Sequence, residues 1–250
     1  MIAETVIAEG SIRIEDLTER FGISLMTAHR DVDELVSRGL FRKTRGIVSA
    51  APTSLIESSD AYRATKQAKE KKAIARAAMR FVEPGQAIFL DDATTVHGMA
   101  ALLPAKVPLT VITNSLVLIN ELKEVNDLTL VGLGGQFYNW CNAFMGHITT
   151  HEIRRLRADT VFMSLSAIVD DVVFHQSPET VETKRAMFES AAKRVLLADH
   201  TKFERRALHH FAALTEFDAV IVDEDIPISH LSRMRSKGIN VVVAEAERSG

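Results

Sequence analysis

The chain has 250 residues, enough for one large domain and a small one, and its 46% hydrophobic and 25% charged residues are typical of a globular protein. A single cysteine, Cys141, rules out an intramolecular disulfide framework and offers no zinc ligand set. The formal net charge of −3 argues against polyanion binding through bulk charge, and no apolar run approaches the ~20 residues that span a bilayer. Since a signal-peptide pattern is also lacking, we expect a cytoplasmic protein with no membrane segment. No set of residues in the sequence points to a metal or a cofactor, so neither is expected.

Two short helices joined by a tight turn are predicted near the N-terminus. Ile14, Leu17 and Phe21 recur at helical spacing. Gly22 then breaks that helix, and Ser24 stands where a second helix needs its N-cap. One face of the second helix is apolar, and the polar residues that point away from it are Thr27, His29, Arg30 and Asp33. This pattern predicts a helix-turn-helix with a recognition helix.

A small basic hairpin follows the second helix. Residues 40–43 and 47–49 are predicted to be strands joined at residues 44–46, which forms a wing beside the recognition helix. The first fifty residues carry no excess of Lys and Arg, so DNA affinity has to come from the placement of individual groups. The expected phosphate and base contacts are Arg30, Arg42, Lys43 and Arg45. An ordinary helical hairpin with a solvated face is the alternative.

These residues resemble the DNA-binding head of the DeoR family of bacterial transcription regulators. The family pattern is a Gly-ending first helix, a Ser-x-x-Thr-hydrophobic-Arg-Arg-Asp-Leu recognition helix and an Arg-x-His-Gly-Gly-Ala wing, which the chain matches at residues 9–10, 24–32 and 42–47. His29 replaces an Arg, Arg45 replaces the first wing Gly, and Met1 cuts the first helix short, which leaves a start codon upstream open. The resemblance implies that Ser24, Thr27 and His29 join the four basic residues in contacting DNA.

The boundary after the wing is marked by small and polar residues. Residues 50–54 contain a proline, residues 57–60 offer capping groups, and a long basic helix is predicted over about 61–82. We assign its basic residues at 63–69 to a solvated face and leave Lys71 and Lys72 open as contacts to an anion. The predicted organisation is a winged helix-turn-helix at 1–50, a linker with the start of the connecting helix at 51–70, and an effector-binding domain at 71–250.

From Pro84 onward, short apolar runs alternate with helical segments. The runs, which predict strands, are residues 87–90, 109–112, 128–131, 160–165, 195–198, 219–222 and 240–244. Helices are predicted between most of them, at residues 96–103, 116–123, 180–193 and 228–237. Strands rich in Val, Ile and Leu that alternate with helices indicate βα units around a mainly parallel sheet, so the predicted fold class is α/β.

Polar residues and glycines stand at the ends of the first three of these strands. In chain order they are Asp91, Thr94, Thr95, Thr113, Asn114, Ser115, Gly134 and Gly135. Ligands of parallel α/β sheets bind where the carboxyl ends of the strands meet the following loops, and hydroxyls, backbone N–H groups and helix N-termini suit a phosphate. We therefore predict a phosphate-bearing ligand here, with simple helix capping as the alternative.

These motifs resemble the C-terminal sensor domain of the same family, whose fold is similar to ribose-phosphate isomerase and glucosamine-phosphate deaminase. The family pattern is Leu-Asp-x-Gly-Thr-Thr, Ile-Thr-Asn, a Gly-Gly loop, a Lys-bearing helix and Asp-x-(Ser/Thr)-Lys-Phe, with Ala93 replacing the first Gly in this chain. The resemblance implies a phosphorylated sugar or sugar-derived effector. Lys184 and Lys202 are its candidate cationic partners, and Asp199 either orients a sugar hydroxyl or holds Lys202. For each lysine, a surface salt bridge is the alternative.

Three weaker features stay open. His147 and His151 are half of a metal site at helical spacing, but no carboxylate or cysteine stands at an offset that completes it. The acidic pair at 170–171 is either a plain loop or an overhang of the pocket. Tyr138 and Trp140 form a lid over a sugar, a hydrophobic plug or a subunit contact.

Two functional classes follow from these patterns. The first is a DNA-binding regulator, usually a repressor in this family, of a sugar or carbohydrate catabolic operon. The second is a sugar-phosphate isomerase or deaminase with a DNA-binding head, which needs a positioned general base. Spacing selects no base among Asp91, Asp92, Asp170, Glu179 and Glu182, so we expect a regulator and not an enzyme. Because one recognition helix covers little DNA, we expect a homodimer or homotetramer on double-stranded operator DNA.

Overall fold

The computed structural model describes residues 2–9, 11–37, 41–50 and 59–245. Its N-terminal part combines helices with a three-stranded antiparallel sheet of order β1-β3-β2. In chain order the elements are α1 (Ile2–Glu9), β1 (Ser11–Arg13), α2 (Ile14–Phe21), α3 (Leu25–Ser37), β2 (Phe41–Thr44) and β3 (Ile47–Ala50).

The predicted helix-turn-helix is confirmed, and local chemistry explains it. Gly22 adopts the left-handed backbone conformation (φ 62°) that ends α2, and its N–H donates to the Thr18 carbonyl. At the start of α3, the Ser24 Oγ accepts the Thr27 backbone N–H at 3.1 Å. The apolar faces of these helices meet the sheet in a small core, whose buried members are Val6, Ile12, Ile14, Leu17, Ala28, Val32, Phe41 and Val48.

The wing is confirmed as the hairpin of β2 and β3. Its turn places Arg45 (φ 50°) and Gly46 (φ 77°) in the left-handed region. Strand β1 was not predicted from the sequence; it pairs with the other edge of β3. Leu40, at the predicted start of the hairpin, lies outside the described residues.

The connecting segment is a pair of helices, so the prediction of one continuous helix over 61–82 is wrong. Helix α4 (Asp60–Ala64) and helix α5 (Ala68–Ala78) are separated at residues 65–67, where Gln67 has a left-handed backbone (φ 48°). Lys71 replaces part of the missing helical hydrogen bonding, because its Nζ donates to the Arg63 carbonyl at 2.5 Å. The predicted capping residues at 57–58 lie outside the described residues.

The remainder of the chain alternates strands and helices. The strands are β4 (Ala87–Leu90), β5 (Leu109–Thr113), β6 (Leu128–Gly132), β7 (Gln136–Tyr138), β8 (Ala143–Met145), β9 (Ala158–Met163), β10 (Ala167–Val169), β11 (Val172–His175), β12 (Ala191–Ala198), β13 (His209–Ala213), β14 (Ala219–Asp223) and β15 (Val241–Ala244). The helices are α6 (Thr94–His97), α7 (Leu116–Leu122), α8 (His147–Arg154), α9 (Pro178–Glu189) and α10 (Ile228–Ser236). Short 3₁₀ turns occupy Met79–Phe81, Ala100–Lys106, His200–Glu204 and Leu214–Glu216.

Seven of these strands form one parallel sheet of order β15-β14-β12-β9-β4-β5-β6. All seven are the strands predicted from the apolar runs, and the α/β fold class is confirmed. Apolar residues cover both faces of the sheet, since Ile88 and Leu90 of β4 join one core cluster and Phe89 joins the other. Two small antiparallel sheets, β7-β8 and β10-β11-β13, were not predicted because their strands are short and mixed in polarity.

Two predicted helix ranges need correction. The helix expected at 180–193 ends at Glu189, because Ala191 already begins β12. The helix expected at 96–103 is divided into the short helix α6, which begins at Thr94 and ends at His97, and a 3₁₀ turn at Ala100–Lys106. Among the described helices, none has the length and apolar composition needed to cross a membrane.

Candidate functional site

The outer face of α3 and the wing form the candidate DNA-binding surface. The Arg30 side chain is exposed and contacts the neighbouring Asp31 at 3.1 Å. Lys43 of β2 links the wing to α3, because its Nζ lies 2.8 Å from His29 Nδ1 and 2.8 Å from Asp33 Oδ1. With Nδ1 accepting from an ammonium group, the proton of His29 lies on Nε2, which leaves that nitrogen as a donor.

The other predicted DNA contacts divide between the helix start and the wing. Ser24 and Thr27 bond to each other, with 2.9 Å between their hydroxyl oxygens, so both hydroxyls stabilise the N-terminus of α3. Arg42 and Arg45 are exposed on the hairpin. The structure therefore brings all seven predicted residues onto one helix and its wing, and their contacts with DNA remain predictions.

A buried ion cluster lies where β4, β9 and α9 meet. Asp91 directly follows β4, and its Oδ1 accepts the Ala93 N–H at 2.9 Å. Its Oδ2 accepts the Ser164 N–H at 2.9 Å and the Lys184 ammonium at 2.5 Å. Lys184 also lies 3.0 Å from Asp92 Oδ1 and donates to the Ser164 carbonyl at 3.1 Å. One ammonium thus joins two carboxylates at the carboxyl edge of the sheet.

The charges of this cluster compensate one another. Burial lowers the pKa of Lys184, but Asp91 and Asp92 outweigh burial and hold it above its usual range. Burial raises the pKa of Asp91, whereas Lys184 and Arg63 outweigh burial at Asp92 and hold the pKa of Asp92 below its usual range. Because the lysine and both carboxylates are almost wholly buried, the alternative of a surface salt bridge is wrong for Lys184.

A second group of cations lies beside Thr94. Lys71 donates its Nζ to Thr94 Oγ1 at 2.9 Å in addition to the Arg63 carbonyl. Burial and then the charge of Lys202 lower the pKa of Lys71 to about 7. Lys202 is itself buried, which excludes a surface salt bridge, and despite burial its charge helps hold the pKa of Asp199 below the usual range. Asp199 also accepts the Thr201 N–H at 3.1 Å.

A narrow polar cavity separates the ion cluster from the cations. Its lining residues are Arg63, Asp92, Ala93, Thr94, Thr95, Ser164, Leu165, Ser166, His175, Lys184 and Lys202. Four of the predicted effector contacts are among them, and Asp91 lies directly behind Lys184. The free volume is ≈ 10 Å³, room for about one water molecule. The cavity is therefore too small for a sugar phosphate in this conformation.

The ends of the second and third strands have local roles and do not line this cavity. Thr113 Oγ1 accepts the Ser115 N–H at 3.1 Å, and Ser115 is the N-cap of α7. Asn114 Nδ2 donates to the Phe144 carbonyl at 2.9 Å, while its Oδ1 is buried with no hydrogen-bond partner among the described residues. Ser115 Oγ also lies 3.0 Å from His97 Nε2, and burial lowers the pKa of His97 to about 4.

Gly134 and Gly135 lie in the loop after β6, where the backbone packs closely against Thr149 of α8. The Gly134 carbonyl accepts Thr149 Oγ1 at 2.7 Å. Gly135 has a φ of 148°, and a Cβ there would lie 2.1 Å from Thr149 Oγ1. Glycine is thus required at 135 for close packing on α8. The replacement of the family's glycine by Ala93, in contrast, introduces no backbone strain, because this residue has an extended backbone (φ −77°, ψ 136°) that accepts a Cβ.

Helix α4 covers one side of the cavity and contacts the loop after β7. Asp60 accepts Asn142 Nδ2 at 2.8 Å, and its N–H donates to the Trp140 carbonyl at 2.9 Å. The Arg63 guanidinium lies 5.8 Å from the centre of the Trp140 ring. Trp140 in turn lies 6.4 Å, between ring centres, from His175, which lines the cavity. The structure therefore places Trp140 between α4 and a cavity wall.

Several cavity residues were missed from the sequence. Arg63 was assigned to a solvated face, which is wrong because its side chain lines the cavity. Ser164, Ser166 and His175 carry no motif, and Ser164 lay inside the strand predicted at 160–165, whereas β9 ends at Met163. The sequence left open whether Lys71 contacts an anion. In the structure, Lys71 of α5 donates a hydrogen bond to Thr94 of α6, which lines the cavity.

The remaining candidates lie elsewhere. Residues 170–171 form the turn between β10 and β11, and Asp171 pairs with Arg233 at 2.9 Å and Lys237 at 2.8 Å. The rings of His147 and His151 are 6.0 Å apart on α8. A further group, His200, Asp223 and Asp225, was not predicted from the sequence, and its ligand atoms lie within 4.8 Å of one another. In this group His200 Nδ1 is 2.8 Å from Asp223 Oδ1.

Comparison with known proteins identifies both parts of the chain. Residues 1–53 match the family model of the DeoR-like helix-turn-helix domain, and residues 66–224 match that of the DeoR C-terminal sensor domain. The glycerol-3-phosphate regulon repressor of Escherichia coli K12 is 30% identical over 91% of this chain and 90% of its own length. The lactose phosphotransferase system repressor of Staphylococcus aureus N315 is 30% identical over 89% of each chain. Ribose 5-phosphate isomerase A from Neisseria gonorrhoeae aligns over 54% of this chain and 53% of its own, with 16% identity and a TM-score of 0.39.

Proposed function

Since this chain belongs to the DeoR family of transcription regulators, we propose that it represses a sugar or carbohydrate catabolic operon and that a phosphorylated sugar controls its binding to operator DNA. The similar repressors of the glycerol-3-phosphate regulon and the lactose phosphotransferase system support this assignment. The observation that carries the proposal is the polar cavity at the carboxyl edge of the sheet, with carboxylates at one end and several cations at the other.

The distribution of charge in the cavity supports one orientation of the effector. Asp91 and Asp92 already compensate Lys184, so this lysine has little charge to offer a phosphate. The cations around Thr94 repel one another instead, and this repulsion helps lower the pKa of Lys71 to about 7. A phosphate dianion relieves such repulsion. In the proposed complex the phosphate lies beside Thr94, Lys71 and Lys202, and the sugar hydroxyls extend toward Asp92 and Ser164.

The small volume of the cavity suggests how effector binding is coupled to the DNA-binding head in this proposal. A sugar phosphate needs far more space than one water molecule, so a wall has to move when it binds. Most of the other lining residues lie at strand ends or in the elements that directly follow strands, and Lys184 lies on α9. Arg63 instead lies on the short helix α4, which contacts Trp140, Asn142 and Lys71. Helix α4 is the first described element after the wing in the chain. We therefore propose that its displacement changes the arrangement of the two recognition helices of a dimer.

We infer that the site binds its ligand without converting it. Asp91 accepts hydrogen bonds at both oxygens, and Lys184 contacts both it and Asp92, so each carboxylate is engaged before a substrate arrives. A general base for an isomerase needs an oxygen within reach of the proton it abstracts. Incubation with five- and six-carbon sugar phosphates is expected to return them unchanged, and turnover would favour the enzyme alternative.

We further propose that the chain acts as a homodimer or homotetramer, with a DNA-binding domain at 1–50, a linker at 51–70 and an effector-binding domain at 71–250. Two recognition helices on neighbouring half-sites supply the contact area that one lacks. Light scattering is expected to give at least twice the chain mass of 27.6 kDa. A species of single-chain mass alone at micromolar concentration would contradict this proposal.

Thermal shift with a panel of sugar phosphates tests the effector site. At least one sugar phosphate is expected to raise the melting temperature, since a ligand that binds only the folded state stabilises it. The unphosphorylated parent sugar is the control ligand. Thr94→Val removes the hydroxyl that Lys71 contacts and is expected to lose the shift, whereas Thr129→Val, at an exposed position of β6, is expected to retain it. An equal shift in both variants would place the phosphate elsewhere.

A further inference from the structure

Two apolar side chains lie exposed in the first turn of α3. Met26 is 82% exposed, the greatest exposure of any large apolar side chain among the described residues, and Leu25 is 48% exposed. Neither packs into the small core of the N-terminal domain. Single exposed apolar side chains are common on protein surfaces. These two are adjacent at the start of the helix expected to lie in the major groove, so together they offer an apolar surface to DNA.

The polar residues around this turn have intramolecular partners. The Ser24 and Thr27 hydroxyls bond to each other, His29 contacts Lys43, and Arg30 contacts Asp31. The first turn of α3 therefore presents an apolar surface flanked by groups that already have neighbours.

We propose that Met26 is a specificity-determining residue that contacts the 5-methyl group of thymine in each half-site of the operator. This inference rests on the proposed binding of operator DNA. The N-terminal residues of a recognition helix contact base edges in the major groove. The thymine methyl is the apolar group that base pairs present there, and it is read by apolar contact. The flexible thioether side chain of methionine adapts its shape to such a contact.

The experiment begins with selection of an operator from a random duplex library by the full-length wild-type protein. Each thymine of the selected half-site is then replaced by deoxyuracil, which removes the methyl group and leaves the hydrogen-bonding edge intact. Burial of one methyl-sized group corresponds to about a fourfold change in Kd, from ~0.8 kcal/mol. We expect at least one replacement to weaken wild-type binding by about this factor.

The variants decide which side chain senses the methyl group. Met26→Ala is expected to bind thymine and deoxyuracil operators equally at that position. Ile228→Ala is the matched control, because Ile228 is 80% exposed at the start of α10 in the other domain, and it is expected to keep the wild-type preference.

Three outcomes would overturn the inference while leaving operator binding established. These are wild-type binding that tolerates every deoxyuracil, a preference that persists in Met26→Ala, and loss of the preference in Ile228→Ala. If the selection enriches no sequence at all, operator recognition itself fails and the inference fails with it.

Discussion

Removal of the Lys184 charge is expected to be strongly destabilising. The ammonium group contacts Asp91 at 2.5 Å, Asp92 at 3.0 Å and the Ser164 carbonyl at 3.1 Å, and the three charged side chains are nearly inaccessible to solvent. Lys184→Met keeps most of the side-chain volume but removes the ammonium group that contacts both buried carboxylates. Breaking a buried ion pair in this way costs about 3–5 kcal/mol of unfolding free energy, a large part of the ~5–15 kcal/mol that holds a typical protein folded.

Urea denaturation at pH 7 measures this loss. Lys193→Met is the matched control, because Lys193 is exposed on β12, and it is expected to stay within about 0.5 kcal/mol of the wild type. Adding Asp91→Asn to Lys184→Met removes one stranded charge and is expected to recover part of the stability. A Lys184→Met protein within ~1 kcal/mol of the wild type would show that the cluster behaves like a surface salt bridge, which would refute the reasoning.

Three further outcomes are expected. Ser24→Ala removes the N-cap of α3 and should lower the unfolding free energy by ~1 kcal/mol in urea denaturation, whereas Ser24→Asp should not. Burial lowers the pKa of His97 to about 4 in the folded protein. Between this pH and the ordinary pKa of histidine, the unfolded state therefore binds more protons than the folded state. The unfolding free energy should therefore fall as the pH drops from about 6.5 to 4, and an unchanged acid dependence in His97→Gln would contradict this. Arg30→Ala should cost about 1–3 kcal/mol in operator binding and relax specificity, whereas Arg45→Ala should weaken all sequences alike and flatten the salt dependence in gel-shift titrations.

The features that were predicted correctly depend on neighbours in the sequence. Gly22 and Ser24 determine the turn between α2 and α3 through their own backbone angle and hydroxyl. The strands of the large sheet were recognisable because most of them are buried on both faces, which requires a nearly uninterrupted apolar run, and the more exposed strand β6 still has three apolar residues, Leu128, Leu130 and Val131. The strand-end motif at residues 91–95 followed from the same logic, since a polar group directly after such a run lies at the edge of the sheet.

The features that were missed depend on contacts between distant residues. Nothing near Gln67 in the sequence predicts a left-handed residue, and the break there is stabilised by Lys71 and the Arg63 carbonyl. The position of Arg63 beside the cavity likewise depends on its contact with Trp140, 77 positions later in the chain. The resemblance to a family supplied Lys184 as an effector contact, but only the structure shows that two aspartates already compensate it.

The central claim is that a phosphorylated sugar in the cavity changes the affinity for operator DNA. The most direct test is fluorescence anisotropy of a labelled operator, with the Kd measured in the presence of each sugar phosphate and of its unphosphorylated parent. Coupling between two sites of one protein is typically about 5–150-fold in affinity. We predict that one sugar phosphate changes the wild-type Kd within this range, that its parent sugar does not, and that Thr94→Val binds the operator normally without responding. A Kd that no sugar phosphate alters, or a full response in Thr94→Val, would contradict the account.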